Sequence, residues 1–256
     1  MIKFFRHIRK DLMGQNKTGK YFKYAIGEIV LVVIGILIAV QINTWNTSQK
    51  LKADNIVFLN KMVSELELNK NRMAYLTRED NKVNNVLTAS KNSDSLIKLS
   101  YMGLNKTHLD FILNTRFRSV INNLNLHDGV YEELLNTGKL YTLGSDTLVF
   151  DIKNYYNRLK REVIYTELRR GKYLDGLKLL EKNLYKLKMD HLFDAIHFNI
   201  KNYPWYFNAT SEEFQNMQIG LLAIREQQKF QVLRIKDVFS ITDSLIVVIK
   251  KELKTK

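Results

Sequence analysis

Four residues of this chain have the types and spacing to hold a metal ion: Asp190, His191, Asp194 and His197. Asp194 and His197 are three apart, which on a helix puts a carboxylate and an imidazole on one face. Two His with two carboxylates form a donor set for a divalent transition metal. A ferritin-like centre needs Glu-x-x-His from two helices and further Glu residues, and no second such motif occurs. Polar residues on an exposed turn are the expected reading, so neither a metal nor any other cofactor is assigned. His127-Asp128 reads as the start of a helix. There is no Gly-rich phosphate loop, His-Glu-x-x-His or Gly-x-Ser-x-Gly. The chain has no Cys, which excludes disulfides, thiol catalysis and Cys-ligated zinc or iron–sulfur. With no catalytic motif in view, the chain is expected not to be an enzyme.

The other residue with chemical interest is Glu28, because of where it lies. Tyr24 to Ile42 is a run of 19 residues with no Lys, Arg or Asp. As a helix it spans roughly 28 Å, close to the hydrocarbon thickness of a bilayer. Glu28 sits about one turn inside its first boundary, shallow enough to meet headgroup water, Lys20 or Lys23. Glu28, Gly35 and Ala39 share one helical stripe, and Gly35-Ile-Leu-Ile-Ala39 is a small-xxx-small pattern. That pattern lets two helices pack closely, so Gly35 and Ala39 are the candidate packing residues for self-association.

The flanks orient the span. Lys3, Arg6, Arg9, Lys10, Lys17, Lys20 and Lys23 precede it against a lone Asp11, whereas Asn43 to Asn55 holds only Lys50, Lys52 and the opposing Asp54. Cations are retained on the cytoplasmic side. The expected organisation is therefore a basic cytoplasmic tail over 1–23, a transmembrane signal-anchor over 24–46 and an extracytoplasmic domain over 47–256. Tyr21, Phe22 and Tyr24 at one boundary and Trp45 at the other fit the interfaces. A cleaved signal peptide is the alternative, but no small-x-small site follows the apolar run.

The formal charge is +14. From residue 47 onward, 33 Lys and Arg stand against 24 Asp and Glu, a net +9. Between Lys153 and Lys188 there are 11 cations and four anions. Such a surface attracts nucleic acid, anionic lipid or an acidic protein, or is only a solvated helix face. Nucleic acid is not expected for a domain outside the cytoplasmic membrane.

One Pro in the whole chain, Pro204, and no Gly between Gly35 and Gly103 indicate long helices. The expected fold is all-α: one N-terminal transmembrane helix followed by a long-helix bundle. Ile56, Leu59, Val63, Leu66, Met73 and Leu76 repeat at helical spacing, then Val83 and Val86 follow. Ser90 to Ser95 reads as a break before a short helix ending near Gly103. Thr107 to Asn122 reads as a helix with Leu109, Ile112, Leu113, Phe117, Val120 and Ile121 inward. Asp128 to Asn136 reads as a short helix stopped by Gly138. A cap at Ser145 or Asp146 opens a helix to about Lys188, kinked at Gly171 and Gly176. Val149, Ile152, Tyr155, Tyr156, Leu159, Val163, Leu168, Leu174, Leu177, Leu180 and Leu184 form its expected apolar face. Tyr203, Trp205 and Tyr206 form an aromatic turn that plugs the bundle end or stacks a ligand. Thr210 and Glu213 match a capping box for a last helix over Ser211 to about Leu253.

Several stretches together resemble a known family. Tyr24-Ala-Ile-Gly-Glu-Ile-Val-Leu-Val-Val-Ile-Gly-Ile-Leu-Ile-Ala39, then Gln41-Ile-Asn43 and Trp45-Asn46, resembles the anchor of an uncharacterised single-span membrane family of Bacteroidota, domain-of-unknown-function family 6090. Tyr131-Glu-Glu-Leu-Leu135 and Thr137-Gly-Lys-Leu140 resemble its short helix and turn. Val40 and Thr44 depart mildly from that pattern. The resemblance implies a Gram-negative inner membrane and a periplasmic helical domain, and no activity. In that setting the triplets Asp94-Ser-Leu96, Asp146-Thr-Leu148 and Asp243-Ser-Leu245 fit the pattern for O-linked glycans, with helix capping as the alternative.

The resulting expectation is a bitopic, non-enzymatic envelope protein. Its partners would be the lipid bilayer and either another envelope protein or a second copy paired through the span. The basic 153–188 region and the aromatic turn are the expected surfaces. The alternative is a sensory or energy-coupling envelope subunit that uses Glu28 in the span.

Overall fold

In the computed structural model, residues 18–79, 85–117 and 124–255 are described. Every regular element among them is helical. The chain forms two compact units, Met1–Val57 and Phe58–Lys256, and each is treated by itself. The tail cations Lys3 to Lys17, Val83, Val120 and Ile121 lie outside the described residues, as do the side chains of Lys20, Tyr21 and Tyr24.

Helix α1 is Thr18–Thr77. No Pro interrupts it, so the apolar run and the amphipathic repeat that follows form a single element, as their shared periodicity implies. Next come α2 (Val86–Met102), α3 (Leu109–Asn114), α4 (Gly129–Asn136), α5 (Asp146–Leu180), α6 (Lys186–Phe193) and α7 (Glu212–Thr255). Short 3-10 turns cover Lys106–His108, Lys139–Thr142, Ile200–Asn202 and Pro204–Phe207, and a π turn, Glu181–Tyr185, joins α5 to α6.

The second unit is a bundle whose spine is α7, which contributes to all three core clusters. At one end Leu59, Met62 and Leu66 of α1 pack with Leu134 of α4, Ile152 and Tyr156 of α5 and Ile249 of α7. In the middle Met73 and Val86 meet Val232, Ile235 and Val238. At the other end Leu96 of α2, Ile112 of α3, Leu180, Leu184 and Leu187 enclose Trp205, Phe214 and Leu221. Burying this many large side chains is the main stabilising term of the fold. Gly176 and Gly220 let α5 and α7 touch through their backbones: a Cβ on Gly220 would stand 2.7 Å from the Gly176 carbonyl oxygen.

Several boundaries differ from the sequence expectation, each for a physical reason. Ser90 to Ser95 is no break: α2 runs through it, because Ser93 Oγ donates to Phe117 O (2.7 Å) and Asn92 Nδ2 to Arg116 O (3.0 Å). Its cap is Asn85, whose side chain accepts from Thr88 N, and its stop is Gly103 at φ +91°. The helix expected over Thr107 to Asn122 ends at Asn114. Neither Gly171 nor Gly176 interrupts α5. Ser145 Oγ accepts from Leu148 N and caps α5. For α7 the cap is Ser211, accepting from Phe214 N (3.3 Å), because the Thr210 hydroxyl donates instead to Asn208 Oδ1 (2.7 Å). Val163, Leu168 and Leu174 are exposed rather than on the core face of α5. Glu162, Thr166 and Tyr173 occupy that face.

Candidate functional site

The first unit offers one feature, the apolar surface of α1. Among the described residues, α1 contains the one helix segment long and apolar enough to cross a membrane, and none of its most apolar window is buried. From Ile29 through Ala39 every residue is exposed. Apolar surface on this scale is far beyond the patch a protein leaves in water. Where the apolar run gives way to polar residues, Thr44 Oγ1 donates to Val40 O and Thr47 Oγ1 to Asn43 O, both 2.9 Å. Both hydroxyls are thus satisfied within the helix. A Cβ on Gly35 would meet nothing within 4 Å, and Ala39 is equally open. Glu28 is half-buried.

The metal candidates do not converge. Asp190 accepts from Tyr203 Oη (2.6 Å) and is ion-paired to Lys186. These two partners hold its carboxyl below the usual range, the lysine having the larger effect. His191 packs edge-on against Phe198, ring centroids 5.0 Å apart. Asp194 and His197 contact each other, Oδ1 to Nδ1 at 2.7 Å, on the exposed turn after α6. Among the described residues no three His, Asp or Glu side chains come together.

Most of the basic stretch is occupied internally. Arg158 bonds Glu162 (2.6 Å) and Asp237 (2.5 Å). Lys160 pairs with Glu132, Arg170 with Glu167, and Lys178 with Asp175. Arg169 lies over the Phe230 ring, 3.5 Å from its centroid. Lys188 is drawn inward, where Nζ donates to the carbonyls of Ile112, Leu113 and Thr115 at 2.5, 2.8 and 2.7 Å. A lysine at the open carbonyls of a helix end is a favourable C-terminal cap, and this one fixes where α3 stops. Burial, and then the neighbouring Arg116 charge, push its ammonium down to about 8. Arg161 and Lys172 have no ion-pair or hydrogen-bond partner among the described residues.

The aromatic turn is a plug. Trp205 and Tyr206 are buried in the third core cluster, and Tyr206 Oη donates to Asn105 O (2.9 Å). Tyr203 is half-buried and committed to Asp190.

Two buried polar networks match no sequence motif. Glu65 Oε1 accepts from Tyr156 Oη (2.8 Å) and its Oε2 from Val130 N (2.9 Å). It therefore caps α4 from a distant helix, while Asp128, the residue placed to do so, makes no side-chain cap. Burial, with the Glu65 charge next in size, drives the Tyr156 phenol above its ordinary range. One turn on, Asn69 exchanges two hydrogen bonds with the backbone of His127 (2.7 and 2.8 Å). In the second network Glu162, 2% exposed, lies between Arg158 and Arg234. Pairing offsets the cost of burying these charges. Beside it, Asp151, Arg158, Arg161, Ile241 and Val248 line an open groove of about 350 Å³. The one signal available was phase: Glu162, Thr166, Gln227 and Gln231 fall on core-facing stripes.

The three triplets Asp94–Leu96, Asp146–Leu148 and Asp243–Leu245 all lie in helices with their Leu buried. Asp94 is held by Arg225 and Lys98, and Asp243 by Lys70.

A family model described as "Family of unknown function (DUF6090)" matches residues 28–181, more than half of the chain. The match begins at Glu28 in α1 and ends at the first residue of the π turn. No curated protein and no solved structure matches.

Proposed function

The chain belongs to the DUF6090 family, and we propose that it is a membrane-anchored scaffold that presents its helical bundle to a protein partner. The carrying observation is the exposed apolar stretch of α1, which none of the described residues covers. A bilayer supplies that cover, and the back-bonded Thr44 and Thr47 spare their hydroxyls the cost of desolvation. The cation excess before the apolar run supports a cytoplasmic side there and a periplasmic bundle. The bundle acts by binding rather than by catalysis: its buried ionisable groups are engaged in caps and pairs that hold helices together.

Topology is the test. Reporter fusions after Lys52 and at Lys256, expressed in a Gram-negative host, should both report a periplasmic location. Extraction should require detergent rather than high salt. A cytoplasmic report from both fusions, or release by salt, would remove the anchor from this reading.

A further inference from the structure

The solvent face of α5 carries a pattern that nothing inside the fold explains. Along it Arg161, Ile164, Leu168 and Gly171 recur at the alternating three-and-four spacing of a helix–helix seam, and Phe150 lies on the same stripe eleven residues earlier. They lie opposite the stripe that α5 buries through Ile152, Tyr155, Glu162, Thr166 and Tyr173. Ile164 is 58% and Leu168 74% exposed.

A second, independent observation falls on the same face. Gly171 is mid-helix and exposed, and a Cβ there would meet nothing within 4 Å. Such a glycine costs about 1 kcal/mol of helix stability relative to Ala. Unlike Gly176, it allows no close contact within the bundle. Next to an exposed apolar pair, a missing side chain lets the backbone of another helix approach.

Charge selects the occupant. Arg161 and Lys172 are the two cations of this face without a partner among the described residues. They bracket Ile164, Leu168 and Gly171 over roughly 16 Å of helix. A second copy would bring the same cations onto this face, and like charges across an interface disfavour pairing.

We propose that the outer face of α5 docks an amphipathic helix of a partner protein, with apolar residues at three-and-four spacing and a carboxylate near each end to meet Arg161 and Lys172. This rests on the partner-binding reading above and gives the partner its chemistry.

The test is site-specific photocrosslinking of the full chain in its native membrane, with p-benzoylphenylalanine placed at Leu168 and, separately, at Ser244 in the neighbouring groove. The expected result is one discrete adduct from position 168, whose crosslinked peptide has carboxylates on both sides of an apolar segment. Arg161→Glu with Lys172→Glu should cut its yield at least about tenfold, since two attractions become repulsions. Gly171→Leu should remove the adduct while raising the melting temperature by about 2–4 °C, an outcome a structural role for Gly171 does not allow. An adduct with the chain itself or with phospholipid, an adduct insensitive to the charge reversals, or none from 168 would overturn the proposal. An adduct from 244 alone would overturn this face and keep the partner-binding reading.

Discussion

Gly176 of α5 and Gly220 of α7 oppose each other so closely that a Cβ on either would stand 3.0 or 2.7 Å from the other's carbonyl oxygen. Real Cβ atoms do not tolerate this against backbone, so the two helices would have to part. Gly220→Ala should therefore destabilise the bundle by about 1–3 kcal/mol, despite Ala being the better helix former. A thermal melt in detergent reads it as a drop of roughly 2–4 °C for each kcal/mol. Gly176→Ala should do the same. The double variant should cost less than the sum, because the first substitution already separates the helices. An unchanged melting temperature would mean the helices are not in backbone contact.

Glu65 supports α4 from another helix. Glu65→Leu leaves Val130 N and Tyr156 Oη without an acceptor, and each orphaned buried group costs about 1–3 kcal/mol. Denaturant unfolding should show that loss. Amide exchange should rise first over residues 129–136, while Glu65→Gln, which keeps an acceptor, should lose less. Equal effects of the two variants would contradict the capping role.

Lys188 should titrate near 8, well below the ordinary lysine value of 10.5, and NMR of its side chain checks this directly. The sign of the stability effect follows from linkage. A folded-state value below the unfolded one means that the unfolded chain binds the extra proton between those two values. The contribution of this group is fully present above 10.5 and is lost as pH falls through about 8. Relative to Lys188→Met, the natural chain should gain stability as pH rises from 8 toward 10.5.

Trp205→Ala removes a core side chain and should cost about 3–5 kcal/mol. A retained melting temperature would show that the aromatic turn is a surface after all.

Glu28→Gln separates the scaffold from a proton-relaying subunit. A scaffold variant should reach the membrane and give the same α5 adduct as the natural chain. Loss of either would favour a role for the charge itself.

Much of the architecture was legible because it rests on periodicity and punctuation. The apolar run and the Leu59–Leu66 spacing each read as helix, and Ser145, Gly103 and Gly138 marked ends that local chemistry controls. The misreadings share a cause: tertiary partners override local signals. Ser93 and Asn92 look like breakers until they find the carbonyls of Phe117 and Arg116. Asp128 looks like a cap until Glu65 takes the position. The cations after Lys153 look like a free basic surface, but Arg158 and Lys160 reach Asp237 and Glu132 on other elements and Lys188 turns inward. Leu168 looked like core because a count of apolar residues cannot tell which of two stripes on α5 faces in.

The π turn at Glu181–Tyr185 makes the chain asymmetric toward insertions and deletions. It accommodates one residue more than an α-helical turn, and each residue turns a helix by about 100°. Because the turn already absorbs that extra residue, deleting one between 181 and 185 would relax it to an α turn and keep Leu187 and Lys188 in phase with the interior, whereas inserting one would swing them out. The local cost of that deletion would fall on Asn183, which donates to the Glu213 carbonyl at 3.0 Å. Homologous chains should therefore tolerate a one-residue deletion in this turn more readily than an insertion.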